Sequence, residues 1–259
     1  MSADETCNHS GGSSAVVANC LPASKTLIAS IGIAVLAAVV LLLAAPSAAL
    51  AQNAMPGGAM MAGSKAVKVT IKNLTTGQPF SPSYFESRSN SGAPLFKLGD
   101  KASDALVAVA EGGNIGNFSV GAAMNKGSMV GDASLVIHVL PGQTRTFVIR
   151  VDKDHPLIDG VWMLGNTNDG FSGISGIDAY ALTAPMTASP RGYDAGSEKN
   201  NEKKGYLGAL GGGNARDPEN GVIAYHTGIR GDADAPKSWN WDAGKPVAEV
   251  IITPLQTGF

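Results

Sequence analysis

In residues 65–73, KAVKVTIKN, the apolar Val67, Val69 and Ile71 alternate with Lys68, Thr70 and Lys72. A period of two puts the apolar set on one face and the polar set on the other, so the stretch predicts a strand half-buried against a core. The residues that follow, NLTTGQPFSP, carry the turn chemistry that ends a strand. Farther on, SLVIHVL and TRTFVIRV flank Pro141-Gly142-Gln143, which predicts an antiparallel hairpin. Its second arm sets Phe147, Ile149 and Val151 on one face and Thr146, Val148 and Arg150 on the other. GVWMLGN, NGVIAYHTG and PVAEVIIT are further strand candidates. ASDALVAVAEGGN breaks the pattern, because Ser103 or Asp104 can cap a helix and Gly112 can end one. The expected fold is therefore all-β, an antiparallel β-sandwich with one short helix and long loops. The longest polar segment, from about Pro190 to Glu219, is too long for an idle connection.

Composition narrows the function classes. The chain is 44% hydrophobic with 33 Gly and 14 Pro, which suits a folded, loop-rich domain. Its formal net charge of −2 supplies no basic stripe, so nucleic acid is not an expected partner. Upstream of the domain, an uncharged apolar run extends from Leu27 to Ala45 behind Lys25. PSAALAQNA follows, with Ala49 and Ala51 in the small-x-small pattern of a signal-peptidase site. Two readings are open: a secretory signal cleaved after Ala51, or a retained anchor of spanning length. Both export the rest of the chain.

The expected organisation is a pre-segment 1–26, a signal or anchor 27–51, a flexible linker 52–65 and a β-sandwich domain 66–259. The linker's QNAMPGGAMMAGS is small and Met-rich; without histidine it reads as a spacer rather than a copper site. Both cysteines, Cys7 and Cys20, precede the apolar run, so the exported part has neither disulfide nor thiolate.

Several motifs are missing or weak. There is no H-E-x-x-H, no phosphate-binding lysine loop and no G-x-S-x-G elbow. GALGGG, residues 208–213, lacks the strand and helix that a nucleotide cradle needs. Of the histidines, His138 lies inside an apolar strand and reads as a core residue. Arg230-Gly231-Asp232 is a three-residue match to an adhesion tripeptide in a turn-prone context, and Asn73 and Asn117 begin glycosylation sequons.

The acids of RGYDAGSEKNNE, residues 191–202, are more telling. Asp194, Glu198 and Glu202 gather among turn formers, and Asp169 in NTNDGF follows the apolar run VWML. Like charges brought together repel unless a cation neutralises them. Ca²⁺ takes six to eight oxygens from carboxylates, carbonyls and water and tolerates irregular geometry.

MLGNTNDGFSGI, GYDAGSEKNNE and HTGIRGDADAPKSWNWDAGKPVAEVIIT together resemble the spondin N-terminal domain in its bacterial, exported form. KVTIKNLTTGQPFSPSYFES, LFKLGDKASDALVAVAEGGN and LPGQTRTFVI fit the same family, so the resemblance covers roughly residues 66–254. It implies a β-sandwich related to calcium-binding C2 domains, holding one Ca²⁺ through three acidic side chains. Carried onto this sequence, those are Asp169, Asp194 and Glu198. Glu198 stands where animal members have aspartate, and Gly170 where they have tryptophan.

The expectation is a non-enzymatic, exported calcium-binding module for cell-surface adhesion or interaction with a protein or glycan. It would be periplasmic, secreted or anchored to the outer face of the inner membrane, touching membrane only through the apolar segment. Alternatives are a hydrolase of envelope polymers using the same carboxylates, or a domain that its metal merely stabilises. Export is checked by mass spectrometry of the purified protein, where an N-terminus at Gln52 is expected and a retained Leu27–Ala45 run would establish the anchor.

Overall fold

The computed structural model describes residues 63–119, 130–213 and 215–255. The pre-segment, the apolar run and most of the linker lie outside the described residues. Among the described residues, ten strands form two antiparallel sheets, the all-β sandwich expected from the alternating pattern.

The opening stretch is β1 (Lys65–Asn73), and its alternation holds, with Val67, Val69 and Ile71 fully buried. It lies between β4 (Thr144–Val151) and β10 (Ala248–Pro254), and β7 (Met186–Ala188) completes a four-stranded sheet. Register aligns the apolar residues across the layer: Val69 faces Phe147 on one side and Ile252 on the other. The second sheet runs in the order β3 (Val130–Val136), β2 (Ser83–Arg88), β5 (Leu157–Met163), β6 (Gly170–Asp178), β8 (Tyr193–Asp194) and β9 (Ala224–Tyr225). Between the sheets, Phe80, Phe85, Ile158 and Trp162 meet the inward residues of β1, β4 and β10. Phe85 is clamped there, with ring centroids 4.8 Å from Phe147 and 5.9 Å from Trp162.

The expected helix is α1 (Asp104–Gly112), capped by the Ser103 hydroxyl accepting from the Leu106 amide. Gly113, in the left-handed region at φ 64°, terminates it, rather than Gly112. Leu106, Val109 and Ala110 pack on Tyr84, Val161 and Phe171, on the face of the six-stranded sheet turned away from the other sheet. A four-residue helix, α2 (Gly116–Ser119), follows.

The helix makes a third layer, and this explains what the alternating pattern could not predict. Strands β2 and β5 are covered on both faces, so they lose the period-two signature. Every residue of β2, SYFESR, is buried. Its polar members are satisfied internally: Arg88 Nε donates to Asp159 Oδ2 at 2.7 Å, and Tyr84 Oη donates to Glu86. Asp159 also accepts from the Leu95 and Gly176 amides, so this ion pair comes with the additional hydrogen bonds that a buried charge requires.

Four expectations need correction. The two arms flanking Pro141-Gly142-Gln143 are not one hairpin, because β3 pairs with β2 while β4 pairs with β1. Val139 instead exchanges backbone hydrogen bonds with Phe80, so the turn carries the chain from one sheet to the other. The apolar face of β4 is satisfied by its neighbours on β1, which local alternation could not distinguish from a β3 partner. That crossing shifts the inward positions to Val136 and Val139, leaving His138 exposed rather than in the core. NGVIAYHTG contributes only the short β9. Asn73, which begins a sequon, is fully buried and spends its amide on Gln78, Val139 and Thr75, so glycosylation is incompatible with the folded state.

Gly160 has no room for a side chain, since a Cβ would lie 2.4 Å from Phe85 Cδ1 in the clamped ring. Gly160→Ala is expected to lower stability by about 1–3 kcal/mol through overpacking, measured as the shift of the urea midpoint at unchanged slope.

Candidate functional site

Asp169 is placed by the turn between β5 and β6. Thr167 Oγ1 donates to the Leu164 carbonyl and accepts the Gly170 amide at 2.8 Å, while the Leu164 amide donates to the Gly170 carbonyl. A Cβ on residue 170 would sit 2.5 Å from Thr167 Oγ1, so this tight turn requires glycine. Asp169 is thus at the entrance to β6, one turn beyond the end of β5.

The second set of acids arrives by strand pairing. Gly170 lies opposite Asp194 in the β6–β8 ladder, and the Ala195 amide donates to the Asp169 carbonyl. Asp194 Oδ1 accepts the Gly196 amide at 2.7 Å, closing a turn in which Gly196 takes φ 68°. Beyond that turn the chain runs antiparallel to residues 217–221. Gly221 donates to Gly196, Glu219 to Ser197, and Lys199 to Asp217, all through backbone amides at 2.9 Å. The long polar segment is therefore ordered by a ladder of its own.

These constraints aim the start of that segment at Asp169. Its Oδ2 accepts the Ser197 amide at 2.8 Å, the Glu198 amide at 3.0 Å and the Ser197 hydroxyl at 3.2 Å. Its Oδ1 is buried without a hydrogen-bond partner. Burial, and secondarily the nearby Asp194 charge, push the Asp169 carboxyl up to about 6, against the lowering effect of those donors. Burial also raises Asp194, whose Oδ2 takes the Asn200 side-chain amide. Glu198 is pushed up to about 7, first by burial and then by Glu111; Arg216 opposes the shift and Asp169 adds to it. Folding thus brings Asp169, Asp194 and Glu198 into one electrostatically coupled group.

As arranged, that group is not a closed coordination shell. Among the described residues, no three His, Cys, Asp or Glu side chains are gathered in a way that could hold a metal ion. Glu198 leans toward Arg216, at 3.4 Å from Nε, and Asp194 is engaged by Asn200. The donor set is nevertheless all oxygen, as a hard cation requires, and Asp169 Oδ1 is a buried acceptor that no donor of the described residues reaches.

The third acid of residues 191–202 does different work. Glu202, buried and at φ 56°, accepts the amides of Arg230, Gly231 and Asp232 through its carboxylate. The tripeptide is thereby stapled from within by its backbone, while Arg230 Nε pairs with Asp232 at 2.8 Å. His226, from NGVIAYHTG, is buried beside Trp241, and desolvation holds it far below the ordinary imidazole value, at about 4. At the same end of the sandwich an open cleft of about 250 Å³ is lined by Phe80, Ser81, Gly113, the exposed His138, Met163 and Gly165. Neither this cleft nor the role of Glu202 had a signal in the sequence, since both join residues distant along the chain.

No family model matches the chain, and no curated protein matches it.

A carboxyl raised by burial favours the protonated native state. The folding stability associated with Asp169 is therefore fully present below about pH 4 and lost as pH rises through about 6. Without divalent ions, Asp169→Asn is expected to be more stable than the unaltered chain by about 1–3 kcal/mol at pH 8, the gap closing toward pH 4. Urea unfolding in EDTA at several pH values measures this. A stability loss at pH 8 would contradict it.

Proposed function

We propose that this protein is a non-enzymatic, exported, calcium-binding β-sandwich of the spondin N-terminal type, acting at the bacterial cell surface as an adhesion or interaction module. The observation that carries the reading is the buried, unpartnered Asp169 Oδ1 on a carboxylate coupled to Asp194 and Glu198. A buried oxygen without a protein partner calls for one outside the polypeptide, a water or an ion, and an oxygen-only donor set suits a hard divalent cation.

In this reading Ca²⁺ neutralises the three acids. Asp169 contributes from the rigid entrance of β6, Asp194 from β8, and Glu198 from the first stretch of the long loop. The side chains that now satisfy Asp194 and Glu198, Asn200 and Arg216, are polar and hydrogen-bonded at their tips, so a cation can replace those contacts through side-chain rotation. Neutralising the acids locks the 194–199 segment, and through its ladder residues 217–221, onto the six-stranded sheet. The loops so ordered, with the neighbouring cleft, form the surface offered to a protein or glycan ligand.

The hydrolase alternative draws less support. Glycosidase chemistry wants two carboxyls whose acidities are pushed apart, whereas burial raises all three here. Trp162, one of three tryptophans available to a sugar platform, is in the core.

Titration calorimetry of the full-length protein with CaCl2 at pH 8 tests the reading. A dissociation constant of about 0.1–1 mM is expected, as for extracellular calcium modules. Saturation at 10 mM should then add about 1.4–2.7 kcal/mol of stability, visible as a rise in Tm. Asp194→Asn is expected to abolish the heat. Equal heats in the two proteins would exclude Asp194 as a ligand, and substrate turnover persisting in EDTA would favour the enzyme.

A further inference from the structure

Glu198 has a resident counter-ion that is not its alone. Arg216 immediately precedes the residues 217–221 that pair with residues 196–199, and it reaches two carboxylates at once. It grips Glu111, in the last turn of α1, through both Nε and Nη2, with Nε 2.7 Å from Oε2. The same Nε lies 3.4 Å from Glu198 Oε1. The two contacts differ in quality. The first is a bidentate pair with both hydrogen bonds formed, while the second is a single, longer contact from one nitrogen. The arginine is about half exposed, whereas Glu198 is buried. Glu198 thus sits among Glu111, Asp169 and one shared guanidinium.

We infer that Arg216 is a displaceable internal cation: it neutralises Glu198 when no metal is bound, and a divalent ion releases Glu198 from it while Glu111 keeps the arginine. This rests on the calcium reading of the same acids, and on the unpartnered buried oxygen of Asp169 that points to a ligand there. Charge makes the exchange local. A divalent ion beside Glu198 repels the guanidinium, yet the bidentate grip of Glu111 leaves it a paired position on the helix, so no charge is stranded. Glu111 acts as a positioning residue that need not touch the metal. The arrangement also couples the site to α1: the released contact is the one that bridges Glu198 and the end of the helix whose next residues, Gly112 and Gly113, line the cleft. Metal occupancy is thereby communicated to the cleft wall.

The inference predicts opposite signs for two substitutions that would both weaken the site if they merely disturbed the fold. Calorimetry with CaCl2 at pH 8, on the full-length protein, compares the unaltered chain with Arg216→Gln and Glu111→Gln. Arg216→Gln removes the competitor and is expected to tighten Ca²⁺ binding about fivefold, the scale of one exposed ion pair. Glu111→Gln leaves Arg216 with Glu198 as its remaining carboxylate and is expected to weaken binding by a similar factor. Opposite shifts support the exchange. Shifts of the same sign, or no shift, overturn it and leave the calcium site standing. If the unaltered chain takes up no calcium, the site and the exchange fall together. Should Arg216→Gln fail to unfold cooperatively, Glu111→Gln carries the test, and unchanged or tighter binding overturns the exchange.

Discussion

One oxygen atom decides how the long loop of this protein meets its sandwich. Asp169 Oδ2 gathers two backbone amides and a hydroxyl from Ser197 and Glu198, across a large gap in sequence. Hydrogen bonds to an ionised acceptor are stronger than neutral ones, and inside a low-dielectric site they are stronger still. Yet the carboxylate that supplies them is buried with its second oxygen bare. The contact that orders the loop therefore carries the electrostatic cost on which the proposed cation site rests. Structure and proposed function draw on the same atom.

What allows such a charge to be buried is the three-layer build. The four-stranded sheet covers one face of the six-stranded sheet and α1 covers part of the other, so β2 and β5 form a dry, rigid centre. The turn leaving β5 inherits that rigidity: Thr167 spans it and Gly170 permits it. Desolvation of a carboxylate on such a frame persists because a stable core elsewhere holds in place what would not stand alone. The buried Arg88–Asp159 pair in the same sheet is a useful contrast. It is surrounded by enough donors and acceptors to be complete within the protein, whereas Asp169 is not.

How far the sequence could be read follows from which faces are solvated. β1, β4 and β10 face core on one side and water on the other, so β1 and β4 carry a legible alternation and β10 reads as a strand. β2 is covered on both sides and full of polar residues that are satisfied only by partners elsewhere in the chain, so SYFESR carried no strand signature. The turn at Pro141-Gly142-Gln143 looked like a hairpin because turn chemistry and flanking apolar runs are local, while the choice of partner is not. His138 has the local signature of a core residue for the same reason: its neighbours are apolar, but the crossing between sheets resets which of them point inward. The acids stood out as too many charges among turn formers, yet Glu202, in the same run, went to the amides of residues 230–232 instead.

The sequence by itself determined the class of fold, the position of the helix and the residues from which a site could be built, because periodicity, capping and composition are properties of neighbours along the chain. Tertiary structure alone decided which strands pair, that Asp169 meets Ser197 and Glu198, that one of its oxygens is left bare, and that Arg216 is shared between Glu198 and Glu111. Those outcomes depend on desolvation and on which donors reach an acceptor first. Both are set by the distance between groups in space, a quantity that spacing in sequence does not encode.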